Sequence, residues 1–316
     1  MQDLKRLRRR LFALIAAAYA ISLALAHLSG LRVDYASHAP FLLWVLGLLA
    51  IISGYCSWRG LEAILRFAEP ACAVLLATPV IVLSTYVAMH AGFPEADPVL
   101  SLLDRRLGFD WWAFIAVIDR HAALALVLQQ AYQSFSLQLL GLPMLLGFFG
   151  QAARAYRMVI AYVLIGLVSS LVSVMAPARG TYPTYGLGPD QLSAINAKFG
   201  FFFLSQYEAV RSDPDFVFRL REAAGILTFP SVHAAVAVLC VWAAWRLPVL
   251  NIVFALLNLA MIVSAISHAN HYLVDVLAGS LVAALCLGAA QAMTRARSST
   301  PVRAGRLAAE KLPQPG

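Results

Sequence analysis

The sequence predicts an all-α fold, a polytopic transmembrane helical bundle, and three observations predict it. Of 316 residues, 61% are hydrophobic and only 13% are charged, where a soluble domain carries about 25% charged residues. The mean hydropathy is +0.76. The apolar residues also gather into about eight runs, near 11–30, 40–57, 70–92, 130–150, 157–176, 229–247, 248–267 and 271–293. These approach or reach the roughly 17–25 residues that cross a bilayer. A single segment in lipid satisfies its backbone polar groups only as a helix, so each run is read as one.

The elements follow in chain order. Residues 1–69 hold two N-terminal helices, of which 40–57 is the shorter. The basic start followed by Ala24-Leu25-Ala26 also fits a cleaved signal peptide. A retained first helix is the favoured reading, because Ala-rich helices contain such tripeptides by chance. Residues 70–294 form the main membrane domain. Within it, residues 108–128 open on Trp111 and Trp112 and include Asp110, Asp119, Arg120 and His121. That mixture fits an interfacial helix better than a span. Residues 295–316, rich in Arg, Ser, Pro and Ala, read as a disordered tail.

The net charge of +8 does not indicate a nucleic-acid partner, because Lys and Arg collect at the ends of the apolar runs. With the N-terminus placed in the cytoplasm, nine of the 24 Lys and Arg fall outside, spread over longer loops: Arg32, Arg105, Arg106, Arg120, Arg179, Lys198, Arg211, Arg219 and Arg221. The positive-inside rule therefore puts both termini in the cytoplasm and the 177–228 loop outside. Cys56, Cys72, Cys240 and Cys286 lie in or beside apolar runs without a Cys-x-x-Cys pair, and read as packing residues. Gln130, Ser134 and Gln138 stripe one face of the fourth run and fit interhelical hydrogen bonding. The loop aromatics Tyr182, Tyr185 and Phe199 to Phe203 (interrupted by Gly200) fit either headgroup contact or packing over the bundle.

Two polar clusters stand out, because polar groups in membrane segments are costly. Thr228 to His233 opens the sixth run, and Ser267 to Asp275 opens the eighth. The predicted topology puts both at the outer face. Pro230 and Ser231 suit a helix first turn, whose free N–H groups attract anions. Ser231 adds a hydroxyl, and His233 can protonate a leaving oxygen. His271 and Asp275 are four apart and share a helix face, so the carboxylate can hold the imidazole in one tautomer. These are the parts of phosphoryl transfer through a covalent intermediate. A zinc site built from His268, His271, Asp275 and His233 is a minority alternative.

Phe-Pro-Ser-Val-His-Ala, at 229–234, and Asn-His-Tyr-Leu-Val-Asp-Val-Leu-Ala-Gly, at 270–279, resemble motifs of the type 2 phosphatidic acid phosphatase superfamily. More narrowly, they resemble the branch containing inositol phosphorylceramide synthases. The stretch Asp104-Arg105-Arg106-Leu107-Gly108-Phe109-Asp110-Trp111 is similar to bacterial members of that branch. The resemblance implies a six-helix phosphatase-like core in a bacterial inner membrane, with the site facing the periplasm. It implies His271 as nucleophile forming a phosphohistidine, Asp275 as its charge partner, and His233 as the proton donor. Ser231 and Arg179 would bind phosphate, with His268 and Tyr272 as supporting residues and no metal or other cofactor. Val172 stands where the family has a Lys, and Ala265 follows Ser264 where the phosphatases have Arg.

The implied function is a lipid phosphatase or phosphotransferase acting on a lipid phosphate or phospholipid. The departures favour head-group transfer of the inositol phosphorylceramide synthase type. A simple phosphatase releasing inorganic phosphate is the alternative within the class. A non-enzymatic transporter is the alternative outside it, but it predicts polar residues spread through the membrane depth rather than at one face.

Overall fold

The computed structural model describes residues 2–188 and 190–294, and the predicted tail at 295–316 lies outside the described residues. The chain begins with α1 (Gln2–Ser29), a short β1 (Arg32–Val33), α2 (Tyr35–Arg59) and α3 (Glu62–His90). Asp34 caps α2 by accepting from the Ala36 and Ser37 amides at 3.0 and 3.3 Å. Three short or medium helices follow: α4 (Asp97–Arg106), α5 (Trp111–Asp119) and α6 (Ala122–Gln133). Next come α7 (Phe135–Phe148) and α8 (Ala152–Met175). The loop after α8 carries α9 (Thr181–Tyr185), α10 (Lys198–Phe202), α11 (Leu204–Ser212) and β2 (Val217–Phe218), which pairs in parallel with β1. The chain closes with α12 (Val232–Ala244), α13 (Leu250–His268) and α14 (Leu273–Thr294).

The fold is therefore an all-α polytopic bundle. Among the described residues six helices are long and apolar enough to cross a membrane: α1, α2, α3, α8, α13 and α14. The other two predicted runs are helical but less simple. Ser134 separates α6 from α7, and α12 has only 13 residues. α12 packs against α7, α8, α13 and α14, and so occupies the middle of the bundle. The main core is built from α1, α3, α7, α8, α12 and α14, with Leu11, Val80, Val159, Ala237 and Ala283 fully shielded.

One expectation needs correction. The 108–128 segment is not a single interfacial helix; α5 ends at Asp119 and the chain turns by 106° into α6. The carboxylate of Asp119 holds the bend by accepting from the amides of Ser193, Ala194 and Ile195 at 2.8–3.0 Å. Residues from Ala122 onward form α6, which together with α5 is apolar enough for one broken span. The hydropathy pattern does not reveal this turn, because its anchor comes from more than seventy residues away.

Of the polar stripe Gln130, Ser134 and Gln138, one member, Gln138, hydrogen-bonds to another helix, while Ser134 bonds within its own stretch of chain. Gln138 donates to the Ser134 hydroxyl at 2.9 Å and accepts from Asn258 of α13 at 2.7 Å, whereas Gln130 is exposed. All four cysteines are buried and free. Among the loop aromatics, Tyr182 packs against Trp111 and Phe201, while Phe202 is exposed.

The two ends of the bundle differ in chemistry. At one end Arg8 pairs with buried Glu69 at 2.9 Å, Tyr156 donates to the same carboxylate, and Arg157 donates to Thr294. Arg154 reaches the Ala243 carbonyl there at 2.8 Å. The starts of α1 and α8 and the ends of α12 and α14 thus meet at a basic end. The opposite end carries α4, α5, the β pair, the long loop and both polar clusters.

Candidate active site

His271 sits in the four-residue turn between α13 and α14. Its main-chain amide donates to the Ala265 carbonyl at 3.3 Å, and its side chain is almost wholly buried. Nδ1 lies 3.2 Å from Asp275 Oδ2, the pairing expected of two residues one helical turn apart. The same oxygen accepts the Tyr272 amide at 2.9 Å, so the carboxylate is fixed by the turn it orients. Burial pushes the His271 imidazole down to about 4, partly opposed by a hydrogen bond to the Thr228 backbone. The ring is therefore neutral at neutral pH, with Nε2 the ring atom not bonded to Asp275.

α12 delivers the second half of the site. Ser231 is its N-cap, and Oγ accepts from the Ala234 amide at 3.3 Å. A serine hydroxyl accepts and donates separately, so its proton remains available to another acceptor. An α-helix cannot pair its first N–H groups internally, and those of Val232 and His233 lie in this first turn. The Ser231 amide donates to the Asp275 carbonyl at 3.0 Å, which ties α12 to α14. A Cβ on Gly279 would come within 2.1 Å of the Ser231 carbonyl oxygen, so only glycine permits this approach. The partly exposed His233 ring stacks on Tyr132 at 4.3 Å and meets Phe135 at 4.5 Å. Its centroid lies 6.5 Å from that of His271.

The structure thus brings His271, Asp275, His233 and Ser231 together. Arg179 is close through its backbone, whose carbonyl accepts from the Asn270 side chain at 2.7 Å. Its guanidinium is engaged by Glu208 of α11. Tyr272 does not use its hydroxyl at the His271 pair; it donates to Asp97 at 2.9 Å and lies 2.8 Å from the Thr184 hydroxyl. His268 is buried and bonded through Nδ1 to Ser267 at 2.8 Å, with no hydrogen bond to the pair. Ala265, standing where an Arg is expected, is fully buried, and Val172 is exposed on α8. Among the described residues, no three His, Cys, Asp or Glu side chains are grouped so as to hold a metal ion.

Three further residues shape the site and were not assigned roles from the sequence. Asp104 of α4 accepts from the Leu273 and Val274 amides, both at 2.9 Å, and so caps α14 from another part of the chain. Burial raises its pKa, while these two bonds oppose the rise. Asp97, seven residues earlier on the same buried face, accepts from the amides of Arg179 and Gly180 at 2.9 and 2.8 Å. Asn270 adopts a left-handed φ of 66°, and its side-chain oxygen accepts from Thr181 at 3.2 Å and from the Tyr182 amide. The signal for the acidic pair was present: Asp97, Leu100, Ser101 and Asp104 form the buried stripe of α4. Two carboxylates on a buried stripe call for donors, but the sequence does not name them.

The fold and site define a membrane-embedded helical protein with a histidine–carboxylate pair beside a helix N-terminus. A family model described as the PAP2 superfamily matches residues 98–289. The chain belongs to this superfamily, and is a phosphatase-like membrane enzyme of the phosphoesterase and phosphotransferase group. No curated protein and no solved structure matches it.

Proposed function

We propose that the protein moves a phosphoryl or phospho-headgroup between lipid and acceptor through a phosphohistidine on His271. The observation that carries this reading is the buried His271–Asp275 pair, 3.2 Å apart, facing His233 and the N-terminus of α12. Nε2 of neutral His271 attacks phosphorus, the bond to the leaving oxygen breaks, and His233, which takes up a proton once the anionic phosphate lies beside it, supplies that oxygen's proton. Asp275 holds the Nδ1 proton and stabilises the charge that develops on the ring. The Ser231 hydroxyl and the first-turn amides of α12 bind the phosphoryl oxygens. An acceptor hydroxyl, giving its proton to His233, then attacks phosphorus and breaks the N–P bond.

The favoured acceptor is an alcohol, giving head-group transfer of the inositol phosphorylceramide synthase type. The support is the absence of two cations expected of the simple phosphatases, at Val172 and Ala265. Residues 70–294 form the catalytic membrane domain in this reading, with 1–69 an N-terminal addition. The basic end faces the cytoplasm by the positive-inside rule, so the site opens outward, toward the periplasm if the chain resides in a bacterial inner membrane.

The test is one assay on purified protein in detergent, with lipid phosphates and phospholipids as donors, with and without acceptor alcohols. Phosphate release and product lipids are followed together. His271→Ala abolishes both while the protein remains monodisperse; undiminished turnover would refute the mechanism. Release of phosphate alone, with no acceptor product, selects the simple phosphatase.

A further inference from the structure

A cavity of about 550 Å³ lies between α2, α3 and α7, within the membrane-embedded part of the bundle. That size is within the roughly 300–1,000 Å³ usual for small-molecule sites. Its walls include Pro40 of α2, Leu75, Pro79 and Val82 of α3, and Phe135 of α7. Leu75, Pro79 and Val82 lie on one face of α3. Both prolines are inside their helices, where proline bends the backbone and opposes close packing.

The polar groups on these walls do not call for a polar guest. The Thr78 hydroxyl donates to the Val74 carbonyl at 2.9 Å and lies 3.1 Å from the Tyr162 hydroxyl. Ser37 donates to the Asp34 carbonyl at 2.8 Å, and apart from Ser136 the rest of the lining is hydrocarbon, with one charged residue, Arg221. Arg221 is exposed and forms no ion pair among the described residues. It belongs to the loop that is tied down over α2 by the Leu220 amide donating to Ser37 at 3.1 Å. Phe135 is the wall shared with the candidate active site, since its ring meets His233 at 4.5 Å. The cavity is thus apolar in depth, cationic at one edge, and separated from His233 by one aromatic ring.

We infer that this cavity holds the hydrocarbon chain of the phospholipid or lipid phosphate substrate, with Arg221 meeting its anionic head beside His233. The inference rests on the proposed function and adds where the substrate lies. It also assigns a substrate role to α2, which is outside the residues matched by the superfamily. α2 packs mainly on α3 and leaves most of its surface uncovered, so a chain can enter from the lipid side without unpacking the core.

Two readouts test the inference on the full chain in detergent. A long-chain lipid phosphate carrying a photoreactive diazirine is irradiated with the protein, and labelled peptides are mapped. Labels are expected on the stretches containing Pro40, Leu75–Val82 and Phe135; labels confined to other helices would overturn the assignment. This readout needs no turnover. Leu75→Trp and Val82→Trp, at half-buried positions facing the cavity, are expected to lower the ratio of kcat/KM for a long-chain over a short-chain phosphate at least tenfold. An unchanged ratio in folded variants overturns the inference. If the unaltered protein turns over neither substrate, the proposed function fails instead, and the labelling result separates the two failures.

Discussion

Gly279→Ala provides the sharpest test of how α12 and α14 build the site. The added Cβ would lie 2.1 Å from the Ser231 carbonyl oxygen and 3.0 Å from the Ser231 carbonyl carbon. A carbon meets a carbonyl oxygen comfortably at about 3.3 Å or more, so the helices must part locally by about 1.2 Å. The obstacle is backbone, and no rotamer change relieves it. The same movement pulls the Ser231 amide from the Asp275 carbonyl, now 3.0 Å away, and shifts Ser231 and His233 relative to His271. A misplacement of about 1 Å can cost about 100-fold in rate, equivalent to about 2.7 kcal/mol in the barrier. Overpacking adds about 1–3 kcal/mol of destabilisation. The assay is phosphate release or head-group transfer under saturating substrate, beside a thermal unfolding curve in the same detergent. Gly288→Ala on the same helix is the control, because a Cβ there meets nothing within 4 Å; it keeps activity and stability. A Gly279→Ala protein with unchanged kcat and unchanged Tm would refute the close approach and the geometry derived from it.

The other predictions concern the supports of His271 and its protonation. Asp104→Ala leaves the Leu273 and Val274 amides without their acceptor; each such loss costs about 1–3 kcal/mol, so a lowered Tm is expected with kcat reduced about 10-fold or more. Asn270→Gly keeps the left-handed turn but removes the side-chain bonds to Thr181 and Arg179. It is expected to lower kcat, and Asn270→Ala to lower it further because its backbone is also strained; equal activity in both would contradict the bracing role. His271 is held neutral by burial down to about pH 4, so the acid limb of kcat/KM due to this residue lies below the ordinary histidine value near 6.5. Between those values the unfolded chain binds a proton that folded His271 does not. Its contribution to stability is therefore present above about 6.5 and falls as pH is lowered toward 4. A pH–rate profile and unfolding curves across pH 4–8 check both.

Much of the site was legible in the primary structure because its parts are local. His271 and Asp275 pair through one helical turn, and Ser231 caps the helix that carries His233; both relations span four residues or fewer. The motif pairing also brought the two segments together, and α12 and α14 do meet. Asp104 shows where legibility stops. It caps a helix that begins 169 residues later, and no periodicity connects the two. Tyr272 shows the same limit in reverse: it adjoins His271 in sequence, yet its hydroxyl turns to Asp97. Arg179 lies beside Asn270 through its backbone carbonyl, but the partner of its guanidinium, Glu208, comes from a separate loop helix.

The sequence by itself determined that this chain is a helical membrane protein, because hydropathy is a property of each segment and the bilayer reads each segment separately. It also determined the two polar clusters and the histidine–carboxylate spacing, because helix geometry converts a separation of four into contact. Only the tertiary structure decided the turn after Asp119, the capping of α14 by Asp104, the approach permitted by Gly279, and the cavity against α2. Each depends on a donor, an acceptor or a surface supplied by a distant part of the chain. Burial then makes those distant partners obligatory, since an unpaired polar group or an overlapping methyl inside the bundle has no solvent to relieve it.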